Sequence, residues 1–302
     1  MRTNRMKILL FGKNGQVGGE LQHRFASLGE LIAMGTDSRD MCGDLADLNG
    51  IAQTVHAVRP DVIVNAAAYT AVDKAESEPE LAYLINTQAP GVLAQEAKKL
   101  GAWLVHYSTD YVFDGSGDKP WLESDAPNPL NVYGATKLDG EQAIQASGCN
   151  HLIFRTSWVY AARGNNFVKT MLRMAKERDS LTVINDQIGA PTGANLIADV
   201  TANALCIALK QPEVGGLYHL AAEGETSWYD YARFILDFAR RFGVDIRVAP
   251  NAVIPISSRD FPTAAKRPHN SRLNKGELKH IFSLRLPDWR IGVEEVLAEI
   301  LR

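Results

Sequence analysis

The chain has 302 residues, of which 46% are hydrophobic and 22% are charged, and its net charge at pH 7 is −3. This composition is typical of a globular protein and excludes a disordered or fibrous chain. The small negative charge gives no overall attraction to nucleic acid, so we expect no nucleic-acid partner.

Cysteine spacing and apolar runs bear on the compartment. Cys42, Cys149 and Cys206 are far apart and form no CxxC pair, which argues against a disulfide framework and a thiolate metal site. No apolar run approaches the roughly 18 to 20 residues that cross a bilayer, and the first residues do not resemble a signal peptide. We therefore predict a cytoplasmic protein with no membrane partner, with Met1 or Met6 as its natural start.

Short apolar runs alternate with amphipathic stretches in the first half of the chain, which is typical of a parallel sheet covered by helices. The predicted strands are residues 7–11, 31–34, 62–64, 103–107 and 152–154. The predicted helices are residues 17–28, 51–58, 81–100 and 133–146. The sequence therefore predicts an α/β fold with a Rossmann-type, doubly wound parallel sheet.

The alternation loosens after residue 155. Further helices are predicted at 167–176, 196–210, 228–242 and 293–301, further strands at 217–220 and 246–248, and a proline-rich loop over 250–268. The helix at 196–210 and the strand at 217–220 would return to the first sheet. We therefore predict a larger domain over residues 1–155 plus about 195–224, and a smaller α/β domain over 156–194 and 225–302.

A glycine-spaced turn joins the first predicted strand to the first predicted helix. Gly12, Gly15 and Gly18 permit a tight turn and the close approach of a ligand, and a helix N-terminus attracts phosphate. Glycine-rich turns often merely connect a strand to a helix. The position of this turn in a βαβ unit nevertheless favours a dinucleotide site.

The residues after the second predicted strand bear on the choice of dinucleotide. Many dinucleotide folds carry an acidic residue there, which binds the adenosine ribose. Gly35 leaves this position open and Arg39 would meet a 2′-phosphate, so we expect NADPH to be accepted. Asp37 would still reach the ribose of NADH, and the alternative is a plain solvated turn.

Hydroxyl groups and a lysine predict a proton-transfer site. Thr109 follows the fourth predicted strand, where open α/β sheets bind ligands, and Lys137 lies one helical turn after Tyr133. A neighbouring ammonium favours the phenolate and lowers the pKa of a tyrosine, which lets it exchange protons with a carbonyl or alcohol oxygen. Each residue alone has an ordinary explanation as a cap or a surface turn, but the combination favours catalysis.

The sequence gives less support to other classes of reaction. The chain contains no serine-hydrolase elbow, HExxH helix or His/Cys cluster, so a metal hydrolase is disfavoured. The densest basic segment is 266–272. It is either an exposed loop or a site for an anionic substrate.

Several longer segments carry a family resemblance: 12–21, 64–76, 108–113, 129–133, 154–160, 185–192 and 267–273. On these segments the chain resembles the extended short-chain dehydrogenase/reductase family, and more closely its dTDP-4-dehydrorhamnose reductase branch. The resemblance implies NAD(P)H-dependent reduction of the C4 ketone of dTDP-4-dehydro-β-L-rhamnose to dTDP-β-L-rhamnose. This is the last step in making the rhamnose donor for cell-surface polysaccharide.

The resemblance also implies roles for single residues. Tyr133 would protonate the C4 oxyanion, Lys137 would hold the ribose and lower the pKa of the tyrosine, and Thr109 would orient the carbonyl, with Asn86 supporting a proton relay. The residues that face the sugar nucleotide would be Asp110, Trp158 and Arg267. The residues that face the cofactor, besides Gly12, Gly18 and Arg39, would be Gly15, Gln16, Val17, Asp44, Leu45, Ala68, Tyr69, Thr70 and Tyr107.

Some members of this branch form a homodimer bridged by Mg²⁺. Glu20 and Glu299 would supply carboxylate ligands, while Asn195 stands where relatives often have glutamate, which weakens the expected site. Two alternative functions stay open. The substrate would be another dTDP-4-keto-6-deoxy sugar, or the chain would be a non-catalytic, cofactor-binding regulatory subunit.

Overall fold

The structure is a computed structural model that describes residues 5–302; residues 1–4, with the alternative start at Met1, lie outside the described residues. The strands are β1 (Lys7–Phe11), β2 (Glu30–Met34), β3 (Val62–Asn65), β4 (Trp103–Thr109), β5 (Asn150–Thr156), β6 (Val159–Tyr160), β7 (Leu181–Ile184), β8 (Ile188–Gly189), β9 (Thr192–Gly193), β10 (Gly216–His219), β11 (Thr226–Ser227) and β12 (Val253–Ile256). The α-helices are α1 (Gln16–Phe25), α2 (Leu48–Val58), α3 (Val72–Ala75), α4 (Pro79–Tyr83), α5 (Ala89–Leu100), α6 (Val132–Ser147), α7 (Phe167–Glu177), α8 (Ala194–Ala208), α9 (Trp228–Arg241), α10 (Gly276–Ile281) and α11 (Trp289–Ile300).

A parallel sheet of six strands forms the centre of the molecule, in the order β10-β5-β4-β3-β1-β2. The chain starts in the middle of this sheet, builds outward through β2, and then reverses direction through β3, β4 and β5. The predicted Rossmann-type, doubly wound sheet is confirmed. Its carboxyl edge between β1, β3 and β4 is the place where such sheets bind ligands.

Helices cover both faces of the sheet because each strand contributes apolar side chains to both sides. Ile8 and Leu10 of β1 pack with α1 and α8, and Leu9 and Phe11 pack with α2 and α5. All four of these β1 side chains are fully buried. The predicted helix at 196–210 therefore does return to the first sheet.

A separate apolar cluster forms between α7, α9 and α11. Tyr231, Ile235 and Trp289 are among its largest buried residues, and the short parallel pair β7–β12 packs beside it. The residues of this cluster come from the segments 160–183 and 222–297. The exact domain boundaries stay a prediction.

Two predicted elements were wrong. Residues 246–248 are not a strand; the strand in this region is β12, which pairs with β7 inside the segment predicted to be a loop. The predicted helix at 81–100 is interrupted by a π-helical turn over Leu84–Gln88, which separates α4 from α5. No helix within residues 5–302 is both long and apolar enough to span a bilayer.

Candidate active site

Helix α6 places Tyr133 and Lys137 beside the carboxyl end of β4. The Asn131 side chain caps this helix by accepting a hydrogen bond of 2.7 Å from the amide of Gly134. Gly134 packs so closely on the carbonyl oxygen of Tyr111 that a side chain would not fit between them. The cap and this contact fix the first turn of α6 against the segment that follows β4.

Tyr133 is held as a protonated phenol. Burial raises its pKa to about 12, the Thr109 hydroxyl acts in the opposite direction, and the Asp110 carboxyl raises the pKa further. The expectation that Lys137 lowers the pKa of Tyr133 stays a prediction. A phenol in this state can donate a proton, as the reduction of a ketone requires.

Thr109 and Asp110 lie directly next to Tyr133 and are almost fully buried. The Thr109 hydroxyl donates to Asp110 Oδ1 over 3.2 Å and accepts from the amide of Tyr111 over 3.1 Å. Burial raises the pKa of Asp110 to about 7, against the opposing influence of the Ser271 and Thr109 hydroxyls. Among the described residues, Asp110 Oδ2 has no hydrogen-bond partner. A buried oxygen without a partner is a candidate contact for a ligand hydroxyl.

Lys137 is also buried and contacts the neighbouring strand. Its Nζ donates to the carbonyl oxygen of Tyr107 over 2.5 Å and lies 3.1 Å from Nε2 of His106. Burial lowers the pKa of Lys137 to about 8, and the charge of Glu141 opposes this shift. Lys137 therefore has a fixed position on β4 in addition to its place beside Tyr133.

A groove of about 170 Å³ runs along the carboxyl edge of the sheet at β1, β2 and β3. Gly12 has φ 89°, and a Cβ there would lie 2.6 Å from the amide nitrogen of Ala67. Gly18 packs on the carbonyl oxygen of Gly12 just as closely. The groove therefore depends on glycine, and its floor of backbone atoms suits the pyrophosphate of a dinucleotide. Its other lining residues include Gly15, Asp44, Leu45 and Ala68.

The outer end of this groove carries a charged cluster. Lys13 Nζ lies 3.2 Å from Asp37 Oδ1 and 3.3 Å from the Ser38 hydroxyl, and Asn14 Nδ2 donates to Asp37 over 3.0 Å. The hydrogen bonds from Lys13 and Asn14 lower the pKa of Asp37. A Cβ at Gly35 would contact this cluster, 2.8 Å from Asp37 Oδ1. Arg39 follows Ser38 in the chain and is exposed.

Comparisons with known proteins agree with this geometry. The family model described as "RmlD substrate binding domain" matches residues 6–302. A dTDP-4-dehydrorhamnose reductase of Escherichia coli is 58% identical over 295 residues, which cover 98% of each chain. The chain belongs to the dTDP-4-dehydrorhamnose reductase family. The predicted family and the predicted enzyme class, an oxidoreductase, are confirmed.

Solved structures of dTDP-4-dehydrorhamnose reductases have the same fold. The Clostridium acetobutylicum protein is 36% identical, with a TM-score of 0.88, and the alignment covers 98% of this chain and 100% of that chain. The Bacillus anthracis protein, solved in complex with NADP, is 34% identical, with a TM-score of 0.86 and coverage of 98% and 99%. A structural neighbour within the reductase family thus holds NADP.

The residues predicted to face the sugar lie around the same end of the sheet. Trp158 has φ 49°, in the left-handed region, and stacks on Trp228 with ring centroids 3.6 Å apart. A Cβ at Gly189 would lie 2.7 Å from the Trp158 ring, so the indole is held between two elements. Such backbone strain is concentrated at functional sites. Arg267 forms an ion pair of 2.7 Å with Asp73 and is half-buried.

Several residues predicted to face the cofactor have other contacts. The Tyr107 hydroxyl lies 2.9 Å from Thr201 of α8, so the side chain belongs to the core and only the carbonyl reaches Lys137. The Tyr69 hydroxyl donates to Glu78 over 2.6 Å, and Gln16 accepts from Asn166 over 2.8 Å. Val17 is half-buried beside the glycine turn and Thr70 is exposed.

Asn86 lies in the π-helical turn and is buried. Its Oδ1 accepts from the amide of Tyr69 over 2.8 Å, and its Nδ2 donates to the Thr136 hydroxyl over 3.2 Å. These contacts tie the segment after β3 to α6. π-Helical turns of this kind are frequent at functional sites.

The residues expected to bind magnesium share one cavity of about 230 Å³, lined by Glu20, Asn195, Glu295 and Glu299. Asn195 Nδ2 lies 3.4 Å from Glu295 Oε2. Across residues 5–302, no three His, Cys, Asp or Glu side chains come together in a way that would hold a metal ion. The structure therefore gives no support for the expected magnesium site, and the homodimer stays a prediction.

Three polar residues of the site were missed in the sequence. Asn65 and His106 are direct register partners on β3 and β4, and both are buried in otherwise apolar strands. A polar residue near the end of each apolar run was the sequence signal that could have identified Asn65 and His106. Lys13 lies inside the glycine turn, and its position directly after Gly12 was the available signal.

Proposed function

We propose that this chain reduces the C4 ketone of dTDP-4-dehydro-β-L-rhamnose to dTDP-β-L-rhamnose, with NADPH as the preferred cofactor and NADH as a second one. One observation carries the proposal: a half-buried, protonated Tyr133 lies against the Thr109 hydroxyl at the carboxyl edge of a dinucleotide-type sheet. Membership of the dTDP-4-dehydrorhamnose reductase family supports the choice of sugar nucleotide.

The chemistry divides between the cofactor and the side chains. A bound nicotinamide cofactor supplies the hydride. Tyr133 donates its proton to the C4 oxygen, and burial keeps that proton on the phenol until negative charge develops on the substrate. Thr109 holds the same oxygen through its hydroxyl, which requires its present hydrogen bond to Asp110 to be exchanged for one to the substrate.

The glycine-lined groove supports the assignment of a dinucleotide. Its backbone floor at Gly12 would receive the pyrophosphate, and Lys137 would hold the nicotinamide ribose. At the outer end, Lys13, Ser38 and Arg39 offer donors to a 2′-phosphate, which favours NADPH. Asp37 offers an acceptor to a ribose hydroxyl, which is why NADH would also be accepted.

The sugar nucleotide would lie between β4 and the segment around Trp158. Asp110 Oδ2 would accept from a sugar hydroxyl, and the Trp158 indole would pack on the face of the sugar ring. Arg267 would reach the diphosphate, and its ion pair with Asp73 holds the guanidinium at the edge of the site.

The direct test combines the purified protein with dTDP-4-dehydrorhamnose and either NADPH or NADH. Cofactor oxidation is followed by absorbance, and the configuration at C4 of the product is read by NMR. We expect turnover with both cofactors and dTDP-rhamnose as the product. Absence of turnover with both would refute the proposal, while a product of the other C4 configuration would identify a different dTDP-sugar reductase.

The Tyr133→Phe variant tests the catalytic assignment. Removal of the hydroxyl leaves no proton donor for the C4 oxygen, so we expect kcat to fall by about 10²- to 10⁴-fold while NADPH still binds. Tyr83→Phe is the matched control, because Tyr83 is exposed on α4. The activity of this variant should equal that of the wild type. Full activity of Tyr133→Phe would show that another group donates the proton.

A further inference from the structure

A short loop from the second half of the chain rests on the first turn of helix α6. This arginine loop consists of Ala265, Lys266 and Arg267. Asp73 of α3 holds one side of it, because the carboxylate accepts from the amide of Ala265 over 3.0 Å and from both terminal nitrogens of Arg267 over 3.0 and 2.7 Å. Asn131 holds the other side, because its Nδ2 donates to the carbonyl oxygen of Lys266 over 2.7 Å.

The Asn131 amide group makes a separate contact with each of its two polar atoms. Oδ1 accepts from the amide of Gly134 and caps α6, while Nδ2 donates to the Lys266 carbonyl. Only one orientation of the amide satisfies both contacts, since a backbone amide needs an acceptor and a carbonyl needs a donor. The Asn131 side chain is 7% exposed, so water is largely excluded from both hydrogen bonds. A single group thus ties the arginine loop to the helix.

Capping alone does not account for an asparagine at this position. Serine and aspartate cap a helix N-terminus about as well, and aspartate also interacts favourably with the helix dipole. A carboxylate has no proton to donate to the Lys266 carbonyl, and a serine hydroxyl lies one bond closer to the backbone than Nδ2 of Asn131. The contact with the arginine loop is therefore the one that requires the amide.

The arginine loop and the first turn of α6 meet around one aromatic ring. The Tyr111 ring contacts the Tyr133 ring edge to face, with ring centroids 5.7 Å apart. Burial raises the pKa of Tyr111, and the nearby Arg267 charge opposes this shift. The guanidinium and the Tyr133 phenol are thus neighbours of the same side chain, and a displacement of the loop would change the distance between them.

We propose that Asn131 is a positioning residue for Arg267: its amide holds the arginine loop against the first turn of α6 and sets the distance between the guanidinium and the Tyr133 phenol. A fixed distance suits a sugar nucleotide, because the sugar ring keeps the diphosphate and the C4 carbonyl at a nearly constant separation. The inference rests on the proposed function only for the binding of a diphosphate by Arg267.

The Asn131→Ser variant separates the cap from the contact with the loop. Serine retains an acceptor for the amide of Gly134 but does not reach the Lys266 carbonyl. A neutral hydrogen bond changes an equilibrium by about 2- to 12-fold, so the Kd for dTDP, measured by isothermal titration calorimetry, should rise about threefold to tenfold. The urea midpoint should stay near that of the wild type. A lower urea midpoint with an unchanged Kd would show a purely structural role and overturn the proposal.

Asp288→Ser is the matched control, because Asp288 caps α11 in the same way by accepting from the amide of Arg290 over 3.0 Å. Its Kd for dTDP should equal that of the wild type. Should Asn131→Ser not fold, Asn131→Asp keeps a strong cap and should raise the Kd at least as much, since a carboxylate cannot donate to the Lys266 carbonyl. An unchanged Kd in Asn131→Asp would equally overturn the proposal.

A double-mutant cycle with Arg267→Met tests whether Asn131 acts through the guanidinium. Arg267→Met alone should raise the Kd for dTDP. In that background Asn131→Ser should cause little further rise, because the group that it positions is gone. An equal fold-rise with and without Arg267 would show that Asn131 acts on the ligand by another route, and would overturn the assignment.

Hydrogen exchange provides a measurement that needs neither ligand nor turnover. In Asn131→Ser the amide of Ala265, which Asp73 binds, should exchange faster, while the amide of Gly134 keeps its protection. Unchanged exchange at Ala265 would contradict the proposed link, whereas absence of turnover would refute only the proposed reaction. Where turnover is found, KM for the sugar nucleotide should rise with the Kd for dTDP, and KM for NADPH should not change.

Discussion

We propose that the charge of Lys13 decides between the two cofactors. It lies in the glycine turn, and its Nζ contacts both Asp37 and Ser38 at the outer end of the groove. A 2′-phosphate there would compete with Asp37 for the same ammonium. The balance between an attractive lysine and a repulsive aspartate explains why one site would accept both NADPH and NADH.

The Lys13→Met variant should therefore lose preference for NADPH. A charge-assisted hydrogen bond is worth about 1.5 to 3 kcal/mol, so we expect KM for NADPH to rise roughly tenfold or more, with KM for NADH nearly unchanged. Steady-state kinetics with both cofactors provide the measurement. Asp37→Asn should act in the opposite direction and lower KM for NADPH. Equal losses with the two cofactors in Lys13→Met would contradict this assignment.

At the scale of elements, the contact between α6 and the π-helical turn positions the site. Gly140 of α6 packs directly on the backbone oxygen of Asn86, and a Cβ at this position would overlap it. Asn86 in turn binds the amide of Tyr69 and the hydroxyl of Thr136. The close approach of two backbones therefore links the cofactor groove to the helix that carries Tyr133.

Gly140→Ala should separate these two elements. Alanine improves helix propensity by about 1 kcal/mol, but overpacking against a backbone atom costs about 1 to 3 kcal/mol. The cost of the clash should therefore exceed the gain in propensity, and the variant should be less stable. We expect a lower urea midpoint and a higher KM for NADPH. Gly91→Ala on α5 is the control, because its Cβ would lie 3.4 Å from that of Ala143 and should be neutral or stabilising. Matching effects in the two variants would exclude a special contact at Gly140.

The contact between α6 and the π-helical turn could not be predicted from the sequence, although the sheet could. The apolar periodicity of β1 and the glycine turn predicted the sheet and its ligand-binding edge, since both signals are local. The break between α4 and α5 was not predictable, because the π-helical turn depends on Asn86 bonding to residues distant in sequence. Likewise, spacing alone placed Lys137 one helical turn after Tyr133, but it could not show that burial would raise the pKa of Tyr133.

For the whole molecule, buried neutral histidines link stability to pH. Burial lowers the pKa of His219 to about 3, and His106 is also shifted well below its usual value of 6.5. Between pH 5 and 6.5 the unfolded chain binds protons at these two histidines and the folded chain does not, so acidification favours unfolding. Asp110 acts in the opposite direction, because its folded pKa of about 7 lies above the ordinary aspartate value of 3.8.

On unfolding, the two histidines bind two protons and Asp110 releases one, so the net effect is the uptake of one proton. Each proton corresponds to about 1.4 kcal/mol per pH unit, so the free energy of unfolding should fall by at most about 2 kcal/mol from pH 6.5 to pH 5. Burial also raises the pKa of Glu123, which therefore opposes the histidines as Asp110 does. The fall of about 2 kcal/mol in the free energy of unfolding is for this reason an upper value. Urea unfolding at several pH values measures the slope. Asp110→Asn should roughly double the slope and His219→Gln should nearly abolish it, whereas equal slopes in all three proteins would show that these buried groups do not control acid stability.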